Sequence, residues 1–249
     1  MRTIIIAISY LIIILISLPL LLIELVIRHF SPKTAAAFAL QVVHVVFRYC
    51  MFVSGCKKTV VGLENIPRDT PVMFAANHRG FYDIILTYSE LGSIHKQTAF
   101  ISKKEIKKFP IIAQWMYFLN CLFLDRDDIK QSLQVILTAI SLVKDGYSIY
   151  IAPEGTRNPT DTLLPFKEGS MKIATKGKVP IVPVCLLNTE NILESKLPWI
   201  TKGPIYLEFG KPIDVNTLDP EDKKHLGAYV QKIVQSMYDN AKAHWNGSL

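Results

Sequence analysis

Residues 72–83 read Val72-Met73-Phe74-Ala75-Ala76-Asn77-His78-Arg79-Gly80-Phe81-Tyr82-Asp83. Five apolar residues in a row, without alternation, are the pattern of a strand covered on both faces. Gly80 permits a sharp turn after them, and the apolar spacing from Tyr82 to Leu91 is that of a helix. The unit recurs. Further strands are predicted at Thr59–Leu63, Thr98–Ile101, Cys121–Leu124, Ser148–Ala152, Ile181–Leu187 and Ile205–Phe209. Helices are predicted at Lys104–Leu119, Asp128–Lys144, Gly169–Lys176 and Pro220–Ala243. There is no internal repeat and no low-complexity segment. The order predicts one α/β domain over residues 57–249, its sheet mostly parallel and flanked by helices.

The preceding 56 residues are of another kind. Of these, 39 are hydrophobic, and the charges are Arg2, Glu24, Arg28, Lys33 and Arg48. Thr3–Ile23 carries no charge over 21 residues, enough for a helix to cross about 30 Å of hydrocarbon. It is too long and lacks the small-residue flank of a cleaved signal peptide, and Pro19 would kink the helix rather than end it. In Thr34–Gly55 the polar residues Gln41, His44 and Arg48 fall on one helical stripe. That suits a helix lying in the interface or packed on the following domain. Residues 1–56 are therefore expected to form a membrane-embedded helical hairpin, with two conventional spans as the alternative. Basic residues flank both ends of each segment, so charge asymmetry does not fix orientation.

The net charge is +7, with +3 before residue 57 and +4 after it. So mild a surplus suits anionic lipid or phosphorylated substrates. No basic stripe with interleaved aromatics points to nucleic acid. The cluster Lys103, Lys104, Lys107 and Lys108 also reads as a solvated helix start. The cysteines (Cys50, Cys56, Cys121 and Cys185) form no CxxC pair, and no paired His spacing accompanies them. This argues against a zinc site or a disulfide framework and suits a reducing, cytoplasmic setting. Cys121 and Cys185 lie in apolar runs and are expected to be buried.

Four short blocks carry the chemistry. His78 and Asp83 stand five apart, about 140° of rotation on a continuous helix, so they meet only if His78 lies in the turn and Asp83 in the first helical turn. A carboxylate on one imidazole nitrogen would leave the other as a proton acceptor. The same residues also read as a turn that caps a helix through Asp83. Phe123-Leu124-Asp125-Arg126 puts a guanidinium at a strand end, suited to phosphate or to a surface salt bridge, with Asp127 or Asp128 capping the next helix. Ala152-Pro153-Glu154-Gly155-Thr156-Arg157 offers a close backbone approach, a hydroxyl and a forked cation, with Phe166-Lys167-Glu168-Gly169 just downstream. Val179-Pro180-Ile181-Val182-Pro183-Val184 is an apolar strand entry.

Taken in this order, the four blocks resemble the glycerolipid acyltransferase family, in particular its 1-acylglycerol-3-phosphate (lysophosphatidic acid) acyltransferases. Family marks are an NHxxxxD block, a block ending in Arg, an EGTR block and a proline-bearing strand, over roughly residues 57–215. The resemblance implies that His78 is the general base and Asp83 its orienting partner. It implies that Lys103, Arg126, Glu154, Gly155, Thr156 and Arg157 bind the acceptor's phosphate. Ala152 stands where the family often has Phe. The implied reaction moves an acyl group from a thioester of coenzyme A or acyl carrier protein to the sn-2 hydroxyl of lysophosphatidic acid at a membrane, forming phosphatidic acid. It needs no metal or cofactor, and backbone amides in the His78–Gly80 turn are the expected oxyanion donors. Another acceptor (glycerol-3-phosphate, another lysophospholipid or a lyso-aminolipid) fits the same blocks. A non-catalytic lipid-binding protein fits the hairpin but not the His78/Asp83 pair, and a serine hydrolase would need a G-x-S-x-G elbow.

Overall fold

A computed structural model describes residues 2–245. Two long helices come first, α1 (Arg2–Phe30) and α2 (Pro32–Ser54), joined through the single residue Ser31. The Ser31 hydroxyl accepts from the Thr34 amide, and Pro32 occupies the first turn of α2, where its missing N–H costs nothing. Gly55, left-handed at φ 69°, ends α2. The helices run antiparallel, with the Ser9 and Tyr49 hydroxyls 2.8 Å apart. Both are long and apolar enough to cross a membrane by length and composition. α1 passes through Pro19 and continues seven residues beyond the uncharged segment. Its last turns tolerate Glu24 because Arg28 pairs with it at 2.7 Å while also donating to the Phe118 carbonyl at 2.8 Å.

The following strands are β1 (Lys57–Val61), β2 (Met73–Ala76), β3 (Thr98–Lys103), β4 (Leu122–Leu124), β5 (Ser148–Ile151), β6 (Ile181–Leu187) and β7 (Pro204–Phe209). They form one sheet in the order β1-β7-β6-β2-β5-β3-β4. Every pairing is parallel except β6 with β7. The central strands β2, β5 and β6 are buried along their whole length, and apart from Ser148 their residues are apolar. β7, next to the edge, alternates buried and half-buried residues.

Successive residues of each strand feed opposite faces. Phe74 and Ala76 join the core beneath α2, α3 (Phe81–Ser93) and α4 (Pro110–Phe118). Met73 and Ala75 join the core beneath α5 (Ile129–Lys144), α6 (Glu168–Gly177) and α8 (Leu226–Trp245). On the first face the rings of Tyr88, Phe100 and Tyr150 stack at 4.2 and 4.3 Å. Cys121 and Cys185 are buried thiols.

Two expected helices are interrupted. The stretch from Lys104 to Leu119 divides into a 3₁₀ turn (Lys104–Lys108) and α4, because Pro110 cannot continue a helix but can begin one. The C-terminal stretch divides at His225 into α7 (Pro220–Lys224) and α8. The lysine cluster forms the exposed 3₁₀ turn, with Lys103 at its cap. Lys104 pairs with Asp125 at 2.5 Å, and Lys107 lies over the Phe123 ring at 5.2 Å.

The Gln41/His44/Arg48 stripe faces the α/β domain over two of its three positions. The Gln41 amide lies 3.1 Å from His95 Nδ1, and His44 is buried against Gly92 of α3, whereas Arg48 is exposed. Ala39, Leu40 and Val43 of α2 belong to the same core as the sheet. A Cβ at Gly92 would sit 2.6 Å from His44 Cβ, so Gly92→Ala must push α2 away from α3. Overpacking of about 1–3 kcal/mol outweighs the helix-propensity gain of about 1 kcal/mol. The expected result is a lowered unfolding temperature in detergent; an unchanged or raised one would contradict this contact.

Candidate active site

Five strands (β6, β2, β5, β3 and β4) are mutually parallel and neighbours, so their carboxyl ends lie along one edge of the sheet. The turn after β2 carries His78, and the loop after β5 carries Glu154, Gly155, Thr156 and Arg157. Lys103 ends β3 in register with Leu124 of β4, two residues before Arg126. The topology thus brings His78, Lys103, Arg126 and the residues from Glu154 to Arg157 to the edge where open α/β sheets bind ligands, whereas the Val179–Val184 block enters β6 from the opposite edge.

His78 Nδ1 lies 2.7 Å from Asp83 Oδ2. Asp83 is 1% exposed, and its Oδ2 also accepts from the Arg79 and Gly80 amides at 2.7 and 2.9 Å. Its Oδ1 accepts from the Thr189 hydroxyl. An acceptor-only carboxylate requires Nδ1 to be the protonated nitrogen, which leaves Nε2 as the proton acceptor of a partly exposed ring.

The turn is held from both sides. The His78 amide donates to Glu154 Oε1 at 2.9 Å, and the His78 carbonyl accepts from the Asn158 amide at 2.8 Å. Asn77 reaches the neighbouring strand, its side chain bonding the Leu186 carbonyl and amide at 2.9 and 2.7 Å and so extending the ladder beyond β2. Buried Arg79 pairs with Glu190, donates to the Thr160 carbonyl at 2.6 Å and lies over the Tyr238 ring. Burial disfavours the Arg79 charge, but Glu190 more than offsets this and holds the guanidinium above its ordinary basicity.

Two expectations change. Glu154 is buried, and both its oxygens are engaged: Oε1 by His78, Oε2 by Asn158 at 3.0 Å and the Leu164 amide at 2.9 Å. It organises the turn rather than facing a ligand. The amides of His78, Arg79 and Gly80 are likewise taken by Glu154 and Asp83, and that of Phe81 donates to Glu194 at 2.5 Å. The turn therefore offers no idle N–H for an oxyanion, because its conformation is built from these carboxylate bonds.

The cationic part lies beside the turn. Arg157 stacks on Phe81 with its guanidinium carbon 3.9 Å from the ring centroid, and its Nη1 is 3.8 Å from Glu194. Burial pushes Arg126 below its ordinary basicity; Glu105 opposes this and Arg157 adds to it. Arg126 Nε is buried with no hydrogen-bond partner among the described residues. Lys103 and Thr156 are exposed. Gly155, at φ 76°, makes the turn, with Lys167 packed over it. Guanidiniums at this edge of the sheet suit an anion with several oxygens.

The sequence reading missed Asn158, Thr189, Glu190 and Glu194. Asn158 follows the EGTR block directly, and Thr189 and Glu190 follow β6, whose carboxyl end lies at the same edge. Only the strand order would have signalled them.

Comparison with known proteins follows the same lines. A protein-family profile described as Acyltransferase matches residues 57–187. The chloroplastic 1-acyl-sn-glycerol-3-phosphate acyltransferase of Brassica napus is 37% identical over 159 residues, covering 63% of this chain and 45% of that one. The 1-acyl-sn-glycerol-3-phosphate acyltransferase of Saccharomyces cerevisiae is 31% identical over 192 residues, covering 76% of this chain and 61% of that one. The chain thus spans roughly half the length of these curated relatives. The crystal structure of the 1-acyl-sn-glycerophosphate acyltransferase from Thermotoga maritima superposes with a TM-score of 0.74 at 28% identity, covering 88% of this chain and 87% of that one.

Proposed function

The chain belongs to the acyltransferase family, and from that premise we propose that it transfers a fatty acyl group from an acyl thioester to the sn-2 hydroxyl of 1-acylglycerol-3-phosphate, forming phosphatidic acid. The observation that carries this reading is the His78–Asp83 pair, 2.7 Å apart, with Arg157 stacked on Phe81 of the same turn and Arg126 just past the end of β4. His78 Nε2 takes the hydroxyl proton as the oxygen attacks the thioester carbon, and Asp83 steadies the imidazolium that forms. The carbon–sulfur bond then breaks, and the thiolate leaves with the proton returned by His78. Arg126 and Arg157 hold the acceptor phosphate, with Lys103, Gly155 and Thr156 at its margin. Glu154 acts one step back by fixing the backbone of His78.

Coenzyme A or acyl carrier protein serves as the acyl carrier, and no cofactor takes part. Residues 1–56 form the membrane-embedded hairpin, and residues 57–249 the catalytic domain on the cytoplasmic face. A lysolipid then keeps its chain in the bilayer while its head group reaches the site. Purified protein in nanodiscs, given labelled acyl-CoA or acyl carrier protein thioester, should form phosphatidic acid only when lysophosphatidic acid is present. Release of free fatty acid, or product only with an acceptor lacking the phosphate, would overturn the reading. Arg157→Ala should raise the acceptor KM at least tenfold, as befits loss of a charge-assisted contact of about 1.5–3 kcal/mol, and leave donor KM in place. An unchanged acceptor KM would remove Arg157 from the phosphate site.

A further inference from the structure

Glu194 stands on a 3₁₀ turn in the connection between β6 and β7, outside all four sequence blocks. Its carboxylate reaches into the site and is only partly satisfied there. Oε1 accepts from the Phe81 amide at 2.5 Å and lies 3.8 Å from Arg157 Nη1, beyond hydrogen-bond length. Oε2 is buried, has no hydrogen-bond partner among the described residues, and fills the space where a side chain at Gly80 would be, 2.6 Å from the Cβ such a residue would have. A planar carboxylate here satisfies the amide but does not complete its contact with the guanidinium. A tetrahedral phosphate has enough oxygens to reach both.

We propose that Glu194 is a resident stand-in for the acceptor's phosphate, filling its position against Arg157 and the Phe81 amide until lysophosphatidic acid displaces it. Glu194 thereby sets the acceptor KM without touching the reacting atoms. This rests on the acyl-transfer reading for its substrate, but not for its anion chemistry. The groups facing Glu194 are Asp83 and Tyr82 from the turn and α3, and Arg157 from the loop after β5. Burial raises the Glu194 carboxyl above its ordinary value. The Phe81 amide and Arg157 pull it back, and the Asp83 charge adds to the rise. Its charged form is thus held at a cost, which suits a group meant to yield to a stronger anion.

The test is Glu194→Gln, a neutral isostere that can still accept from Phe81, measured in the full chain in nanodiscs. The acceptor KM for lysophosphatidic acid should fall about three- to tenfold with kcat unchanged, because the competing charge is gone. Monoacylglycerol, which has no phosphate, should show no such gain. Lowering the pH should shrink the KM ratio of wild type to variant toward one, since protonated Glu194 has already released Arg157. An unchanged or raised KM would overturn the proposal, the raised case showing that Glu194 positions Arg157 for the substrate. A second arm needs no turnover: inorganic phosphate binding, read by ³¹P line broadening. Binding should tighten in Glu194→Gln and vanish in the double variant with Arg157→Ala, and equal binding in wild type and Glu194→Gln would overturn it. If no acceptor is acylated by wild type, the acyl-transfer reading fails and the phosphate arm still decides the role of Glu194.

Discussion

On the proposed acyl-transfer reading, His78→Ala should lower kcat for phosphatidic acid formation by about 10²–10⁴-fold, the span expected when a positioned general base is lost. The structure makes this variant clean. The imidazole is one of four donors to Asp83, and the remaining three (the Arg79 amide, the Gly80 amide and the Thr189 hydroxyl) still satisfy the buried carboxylate. The His78 backbone is held by Glu154 and Asn158, and neither bond involves the side chain. The turn therefore survives, and the loss falls on chemistry rather than folding. Acceptor KM should move little, because the cations proposed to hold the phosphate lie elsewhere. Steady-state kinetics with varied acceptor, together with a melting curve, checks both halves. Near-normal turnover in a folded variant would remove His78 as the base.

Asp83→Asn has the second large effect, about 10²-fold or more in kcat at nearly unchanged fold. The Arg79 and Gly80 amides both point at Oδ2, so they hold the Asn oxygen there, still able to accept from His78 Nδ1. The Asn nitrogen then faces Thr189, whose hydroxyl can turn to accept. What disappears is the negative charge beneath the imidazolium that forms as the proton moves. Asp83→Ala is different in kind. It leaves two amides and a hydroxyl buried without partners, at about 1–3 kcal/mol each. It should unfold at markedly lower temperature as well as losing activity. Equal turnover in Asp83→Asn and wild type would show that the carboxylate is purely structural.

Much of the fold is legible in the amino-acid sequence itself. The unbroken apolar runs at β2 and β6 identify buried strands because alternation is impossible when both faces are covered. Strand ends place His78, Arg126 and Arg157, since polar residues following such runs must emerge at the sheet edge. The role of Glu154 was not legible. Its carboxylate lies beside the Arg-bearing segment, and only the fold shows that its partners are the His78 amide, Asn158 and Leu164. The reversal of β7 against β6 was also hidden, because the connection between them carries no hairpin signal. Glu194 lies in that same connection and has no local pattern to announce it. The breaks at Pro110 and His225 differ in origin. The first is backbone chemistry visible in the residue itself, whereas the second comes from tertiary capping: the Glu168 carboxylate accepts from the Gly227 amide at 2.9 Å and the Ala228 amide at 3.4 Å and so fixes the start of α8.

The packing of α3 has a mechanical meaning. This helix begins at the His78–Gly80 turn with Phe81 and Asp83 and, near its far end, presents Gly92 to His44 and the Gly92 carbonyl to Gln41 of α2. Thirteen residues make a rod of about 20 Å. The imidazole is therefore not suspended from its anchor by a loose linker but braced against it by a strut of set length. On the proposed reading, with the hairpin in the bilayer, the His78 imidazole would stand at one height above the lipid plane. An acceptor whose hydroxyl cannot come to that height would then be rejected by geometry before any charge is read.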